Sequence, residues 1–469
     1  MLGYLVIYGY IFFSILVLGK LLLKIVPVEL SRKFIHISLF MVWVFIDIFF
    51  KNTIHQVIIP FTFIIINYLS YKFKLFKSIE REEDNHLGTV YFSIAIFVIL
   101  LVAYIYPELY IYTGISTFCL TFGDGFASFI GSSIKSKKIK DNKSLIGFIS
   151  CFIFSFISLI AFKYIYLNDL SFTDIFIIAS LAAIFELVGL GLDNFSIVFV
   201  TFIVSYLLSI TSFGMLDIGL IISIIVFLIV FFSKAITYYG AILAMLIMTI
   251  FSYFGDAYSI SFLLICYFIA FFISFFRKIY LKEEKKHKKG RGLYQIFANG
   301  FTGTLCLVLY YFTSFEVFYL SSFVCIGGCL IDSVSSDIGT LSNKMPFDIF
   351  RWKYVERKQS GGVTLLGSLS SLFVSVLLGI IATIFLRLNL IKFIVVTLLI
   401  YSDTVIDTIL GSLVQNKNQC VVCDKITEDN SHCDKQTKHY SGVKFFNNNV
   451  NNLVSSLLVC LISILVLWW

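Results

Sequence analysis

Apolar runs of roughly twenty residues recur from one end of the chain to the other, each closed by a short polar or charged stretch. On a helix, a run of that length matches the thickness of bilayer hydrocarbon. The pattern predicts spans near 3–23, 34–50, 54–71, 88–106, 109–131, 145–163, 173–190, 195–210, 215–233, 235–254, 257–276, 293–313, 316–334, 361–386, 390–409 and 447–468. The expectation is an all-α polytopic integral membrane protein of about 16 transmembrane helices in two consecutive helical domains, 1–212 and 234–469, joined by a plain span at 213–233. The run Leu2 to Leu23 has no basic residues before it and no small-residue cleavage site behind it, so it reads as a retained span.

Composition sharpens this picture. Of the 469 residues, 59% are hydrophobic and the mean hydropathy is +0.94, which excludes a sizeable soluble domain. The net charge of +8 sits in loops, where it reports orientation and not nucleic-acid binding. If each run crosses once, Arg32-Lys33, Lys72 to Asp84, Lys135 to Lys143, Arg277 to Arg291, Lys344 to Lys358 and Lys417 to Lys444 share a side, and the opposite loops carry few basic residues. That side is expected to be cytoplasmic, and the candidate motifs fall on or near it. The ten cysteines are scattered and suggest no disulfide scaffold.

In the first half, Leu120 to Gly147 stands out. It places Asp124 between Gly123 and Gly125 in an otherwise uncharged run, then gives Gly131, five lysines (135, 137, 138, 140, 143) and Lys143-Ser144-x-x-Gly147. A carboxylate inside a membrane span is costly and is functional by default. Glycine lets phosphate approach the main chain, a carboxylate can hold the Mg2+ that travels with a nucleotide, and lysines neutralise oxyanions. The stretch is no Walker A loop, because five residues separate Gly125 from Gly131 and no Lys-Ser or Lys-Thr follows at once. Upstream, Arg32-Lys33 precede His36, and Arg32 and His36 share a helical face. Glu186 and Asp193-Asn194 supply further acid and amide on the same side.

In the second half, Gln295 and Asn299 share a face after the basic loop. Asp332, Ser336 and Gly339 form one helical stripe, while Asp337 lies about 140° from Asp332, so a single site using both acids requires a break in the helix. Asp403, Asp407, Gly411 and Gln415 recur every fourth residue and put two carboxylates on one face. Gly361-Gly362 opens a span, a start that suits an anion or close helix packing. Cys420-x-x-Cys423 with His432, Cys433 and His439 has the residue types of a zinc site, although adjacent ligands at 432 and 433 are awkward for one tetrahedral centre.

Arg32-Lys33-x-x-His36, Gly88-Thr89, Gly123-Asp124-Gly125-x-Ala127-x-x-x-Gly131, Lys143-Ser144-x-x-Gly147, Glu186 and Asp193-Asn194 together resemble the phytol kinase and dolichol kinase family over residues 25–212. That resemblance implies phosphoryl transfer from CTP, or another nucleoside triphosphate, to a long isoprenoid alcohol. Ser128 and Ser132 depart from the Asp and Arg often found there. Asn299-Gly300, Asp332-x-x-x-Ser336-Asp337-x-Gly339, Gly361-Gly362-Val-x-x-x-Gly367, Asp407-Thr408-x-x-Gly411-x-x-x-Gln415, Cys420-x-x-Cys423, His432-Cys433 and Asn447 to Asn451 resemble the phytyl-phosphate kinase family over residues 234–469. This second resemblance implies conversion of an isoprenyl monophosphate to its diphosphate.

Jointly the resemblances imply a bifunctional membrane enzyme with Mg2+ as cofactor. Asp124 would serve magnesium or the hydroxyl, Lys143 and Arg32 the donor phosphates, and Asp332, Asp337 and Asp407 the magnesium of the second step. The expected partners are the isoprenoid alcohol, its monophosphate, a nucleoside triphosphate and membrane lipids, with both active sites facing the cytoplasm. The alternatives are a cytidylyltransferase acting on a membrane lipid phosphate and a multi-span transporter. Against the transporter, the acids crowd one end of the spans and the halves show no inverted similarity.

Overall fold

A computed structural model describes the chain apart from residues 74–86, 135, 141–142, 167, 190–192, 212–213, 234–235, 282–290, 357–358 and 469. Most of the expected loop Lys72 to Asp84, the centre of the basic loop Arg277 to Arg291, and Lys135 therefore lie outside the described residues. Nearly everything else between the polar loops is helix. Thirteen helices are long and apolar enough to cross a membrane among the described residues, and the protein is an all-α polytopic membrane protein. Three of the sixteen expected spans fall short of that length or apolarity. Phe172–Val188 and Tyr238–Phe254 have 17 residues each, and the span expected at 109–131 is divided into Tyr110–Phe118, a π-helical turn Cys119–Asp124, and Gly125–Ser133.

By its internal contacts the chain forms two compact units, Met1–Asp217 and Ile218–Trp469. At the centre of the first lies the helix Phe172–Val188, which is apolar on every side and buried over most of its length, as such a helix must be. Its entry is set by a capping box in which the Ser171 hydroxyl accepts from Asp174 N–H while the Asp174 carboxylate accepts from Ser171 N–H. The helices Leu145–Tyr166 and Asp193–Ile210 pack against it. The buried Trp43 indole donates to Thr113 Oγ1 at 2.8 Å and anchors the helix Phe40–Phe50 to Tyr110–Phe118.

The second unit repeats the principle with different residues. Glu316–Gly339 is its central helix, surrounded by Ala257–Tyr280, Leu293–Thr313, Leu365–Leu386, Leu390–Leu413 and Asn448–Leu467. Small residues let these neighbours approach, as is usual where lipid removes the hydrophobic drive for helix association. Two inter-helical segments carry short strands. Phe347–Asp348 pairs with Lys353–Tyr354 and with Gly362–Val363. Lys417–Gln419 pairs with Ile426–Thr427 and with Lys438–Ser441, and Ser431–His432 pairs with Lys435–Gln436. Asp348, fully buried, ties the first sheet to the helix Leu390–Leu413 by accepting from Ser412 Oγ at 2.7 and 2.9 Å.

Candidate functional sites

In the first unit the π-helical turn ends on Asp124. Widening the helix by one residue re-aims the side chains around it, a device that recurs at functional sites. Asp124 is 4% exposed and accepts from Lys33 Nζ at 2.7 Å, with His36 Nε2 at 3.5 Å from the same oxygen. His36 Nε2 also lies 3.3 Å from Leu120 O. Close by, Lys143 Nζ is 2.5 Å from Glu186 and 2.9 Å from Asp193. Burial disfavours the Lys143 ammonium, but the two carboxylates outweigh it and hold the group above the usual lysine range. Counting Arg32, the cluster has three cations and three acids, so it is neutral without a ligand.

The glycines of this stretch face a neighbouring helix. A side chain at Gly123 would clash with Ser155 Oγ, and one at Gly131 would meet Gly147 Cα and Ser144 Oγ at 3.1 Å. Both positions let Leu145–Tyr166 approach the Asp124 helix, so a neighbouring helix alone already demands glycine there. Ser144, buried, accepts from Gly147 N–H at 3.1 Å and shapes the start of that same helix.

A cavity of about 150 Å3 opens on this cluster. Arg32, Lys33, His36, Asp124 and Asn194 line its polar end, and Leu39, Val42, Trp43, Ile46, Ile59 and Phe63 line the rest. The cavity therefore offers a charged head and an apolar body, the shape of an amphipathic ligand.

The second unit gathers its acids differently. Asp332, on the continuous helix Glu316–Gly339, lies within hydrogen-bonding reach of Asp407 on Leu390–Leu413, and Asp403 sits one turn deeper. Asp403 is 2% exposed and fits because Gly328 faces it, where a side chain would meet Asp403 Cβ at 2.8 Å. Among the described residues no lysine or arginine forms an ion pair with any of these three. Asn451 donates to Asp407 Oδ1 at 2.7 Å and to Asp407 O at 3.0 Å, and Asn452 donates to Asn299 Oδ1 at 3.2 Å. Asp403 Oδ1, Asn451 Oδ1 and Asn452 Oδ1 are buried with no hydrogen-bond partner among the described residues. Asp332 and Asp407 could share a hard divalent cation such as Mg2+, although the three carboxylates do not converge closely enough to ligate a single ion together.

Several expected members stand apart. Asp337 does not join Asp332, because the helix does not break. It points elsewhere and lies 3.3 Å from Arg277. Ser336 is exposed. Gly361 and Gly362 do not form a helix start. The helix begins at Leu365 with Thr364 accepting from Gly367 N–H, and Gly361 occupies a turn at φ 80° where a side chain would lie 2.5 Å from Ser412 Cα. Gly411 gives the same turn room to approach, its own side-chain direction meeting Gly361 N at 3.1 Å. Gln415 lies past the end of Leu390–Leu413, buried, with its amide unpartnered among the described residues.

Asn451 and Asn452 had no assigned role in the sequence reading. The signal was the run Asn447 to Asn452, five amides in six residues at the start of an apolar span. Asn447 caps that helix, accepting from Asn449 and Val450 N–H, and thereby aims the next turn at Asp407.

Fold and sites together define a multi-pass helical membrane protein with polar centres buried in its bundles. Residues 221–460 match the family model of the integral membrane protein DUF92, and the chain belongs to that family. No curated protein and no solved structure matches it.

Proposed function

We propose that the protein is a bifunctional membrane isoprenoid kinase, phosphorylating a prenyl alcohol in the first unit and its monophosphate in the second, with a nucleoside triphosphate, CTP by resemblance, as donor. The observation that carries the reading is the cavity whose apolar body ends on Arg32, Lys33, His36 and Asp124. It suits an alcohol whose hydroxyl must reach charged groups while its tail stays among apolar side chains.

In the first step the hydroxyl oxygen bonds to the γ-phosphorus, the bond from that phosphorus to the nucleoside diphosphate breaks, and the hydroxyl proton passes to His36 or Asp124. Arg32 and Lys33 offset the charge of the transferring group. In the second step a monophosphate oxygen makes the same displacement and no proton need be abstracted. Asp332 and Asp407 would hold Mg2+ there, which when bound neutralises the facing phosphates, with Asp403 one turn behind them. Asn451 orients Asp407, and Asn452 pairs with Asn299 beside it. The cytoplasm is the side on which donor is available, and the basic loops favour that orientation.

The test is to incubate detergent-solubilised protein with Mg2+, CTP and radiolabelled geranylgeraniol or phytol, and to separate monophosphate from diphosphate. Wild type is expected to form diphosphate. Asp124→Ala should form nothing from the alcohol yet convert added monophosphate, and Asp407→Ala should stop at monophosphate. If no nucleotide supports phosphorylation of any prenol, the reading fails. Release of pyrophosphate instead of nucleoside diphosphate would replace it with nucleotidyl transfer.

A further inference from the structure

Between the helices Leu390–Leu413 and Asn448–Leu467 the chain folds into short strands that bring four side chains to one point. Cys420 directly follows the strand Lys417–Gln419, Cys423 lies within the turn to Ile426–Thr427, and His432 and Cys433 sit at the tip of the hairpin Ser431–His432/Lys435–Gln436. The Sγ atoms of Cys420, Cys423 and Cys433 and a ring nitrogen of His432 all lie within 4.8 Å of one another. Cys433 Sγ is 3.8 Å from Cys423 Sγ, and His432 Nδ1 is 3.5 Å from Cys423 Sγ and 3.2 Å from Cys433 Sγ.

Around tetrahedral zinc, bond lengths of about 2.3 Å to sulfur and 2.0–2.1 Å to nitrogen put sulfurs about 3.8 Å apart and sulfur about 3.6 Å from nitrogen. The three spacings fall on or near those edges. Adjacent ligands at 432 and 433 become compatible because the hairpin turns between them. His432 is the last strand residue, and Cys433 and Asp434 are the two turn residues, at φ 52° and 57°. Positive φ at both central positions is the turn that closes a two-residue hairpin, and neither residue is the glycine or asparagine that usually accepts it. The other turn shows a related feature, with Asp424 at φ 57° just after Cys423 and Val422 N–H donating to Cys420 Sγ at 3.4 Å. His439 is not a member, since its Nδ1 is 2.9 Å from Asn416 Oδ1.

We propose that Cys420, Cys423, His432 and Cys433 form a structural Zn2+ site that pins this loop against the end of the second unit's bundle. Four protein ligands leave no open position, the arrangement of a structural and not a catalytic zinc. What it fixes is the strand beginning at Lys417, whose ammonium donates to Ser360 O at 3.1 Å beside the Gly361 turn. The inference does not depend on phosphoryl transfer.

The experiment is elemental analysis of the purified full-length protein, prepared with zinc in the growth medium. About one zinc ion per chain is expected. Replacing it by Co2+ should give the intense visible absorption of tetrahedral cobalt thiolate, and the three thiols should resist maleimide until a chelator is added. Cys423→Ser should lose the metal. Cys433→His, which keeps a ligand, should retain it and so separate ligand loss from misfolding. Zinc-free wild-type protein, with these thiols reactive from the start or with Cys423 and Cys433 oxidised to a disulfide, would overturn the proposal.

Discussion

Asp124 and Asp407 are both carboxylates within helical bundles, the first buried and the second half-buried, but the protein treats their charge in opposite ways. In the first unit it supplies the counter-charge itself, with Lys33 on Asp124 and Lys143 between Glu186 and Asp193. In the second unit it brings Asp332, Asp403 and Asp407 near one another, and among the described residues no lysine or arginine forms an ion pair with them, though Arg291 acts on Asp332 from further off. A neutral cluster is stable when empty. Like charges in low dielectric resist one another until a cation arrives. The first site is therefore preorganised, and under the proposed reading the second would be completed by a bound cation.

The largest effect that would sharpen this contrast is catalytic. Asp407→Asn keeps the shape but removes a charge from the cation site, and diphosphate formation is expected to fall by about 10³-fold while monophosphate formation continues. Single-turnover assays with labelled monophosphate would measure it. Unchanged diphosphate formation would remove Asp407 from the chemistry.

Next come effects on stability, which should differ in sign between the units. Asp124→Leu leaves Lys33 buried and unpaired, and is expected to destabilise the first unit by about 3 kcal/mol. Lys33→Met added to it should recover most of that loss, and neither variant should phosphorylate an alcohol. In the second unit, Asp403→Asn relieves repulsion and should raise stability by about 1 kcal/mol in chelator. Mg2+ should do more than the mutation, approaching about 2.7 kcal/mol at a hundredfold excess over its dissociation constant, and Asp407→Asn should abolish that gain. Thermal melts in detergent, with and without Mg2+, would read all three. Stabilisation by Mg2+ that persists in Asp407→Asn would break the comparison.

Much of this was legible in the chain and some was not, for identifiable reasons. Apolar run length located the helices, and a lone charge inside such a run marked Asp124, Asp332, Asp403 and Asp407 because burying charge is expensive wherever it occurs. The partner of each charge was not legible. Lys33 meets Asp124 across 91 residues, and at a span boundary a lysine looks the same whether it anchors at headgroups or turns inward. The glycines were ambiguous for a related reason. An absent side chain makes room equally for phosphate and for a neighbouring helix, and only the packed structure shows that Gly123 and Gly131 face Leu145–Tyr166. Asp337 illustrates the reverse. Helical geometry alone placed it off the Asp332 face, and the unbroken helix leaves it there.

The smallest expected effect concerns Lys417, which sits where the metal-ligand loop meets the bundle. Its side chain is enclosed and its ammonium donates to Ser360 O. Burial is the main cause, with Arg351 adding repulsion, that pulls this group from its ordinary value of 10.5 down to about 8. The folded state therefore binds the proton less tightly than the unfolded chain does. Below pH 8 both states are protonated and the full penalty is present. Between pH 8 and 10.5 the unfolded chain holds more proton, so stability rises with pH across that window and levels off above it. Relaxation and water penetration around a buried ammonium reduce that difference, and the gain should be only about 1 kcal/mol. Lys417→Met should flatten this slope and, if the loop also depends on zinc, should leave metal content unchanged. A melt series from pH 7 to about 10 on both proteins would decide it. An equal slope in the variant would mean that another group carries the titration, and that Lys417 is held to Ser360 by its charge alone.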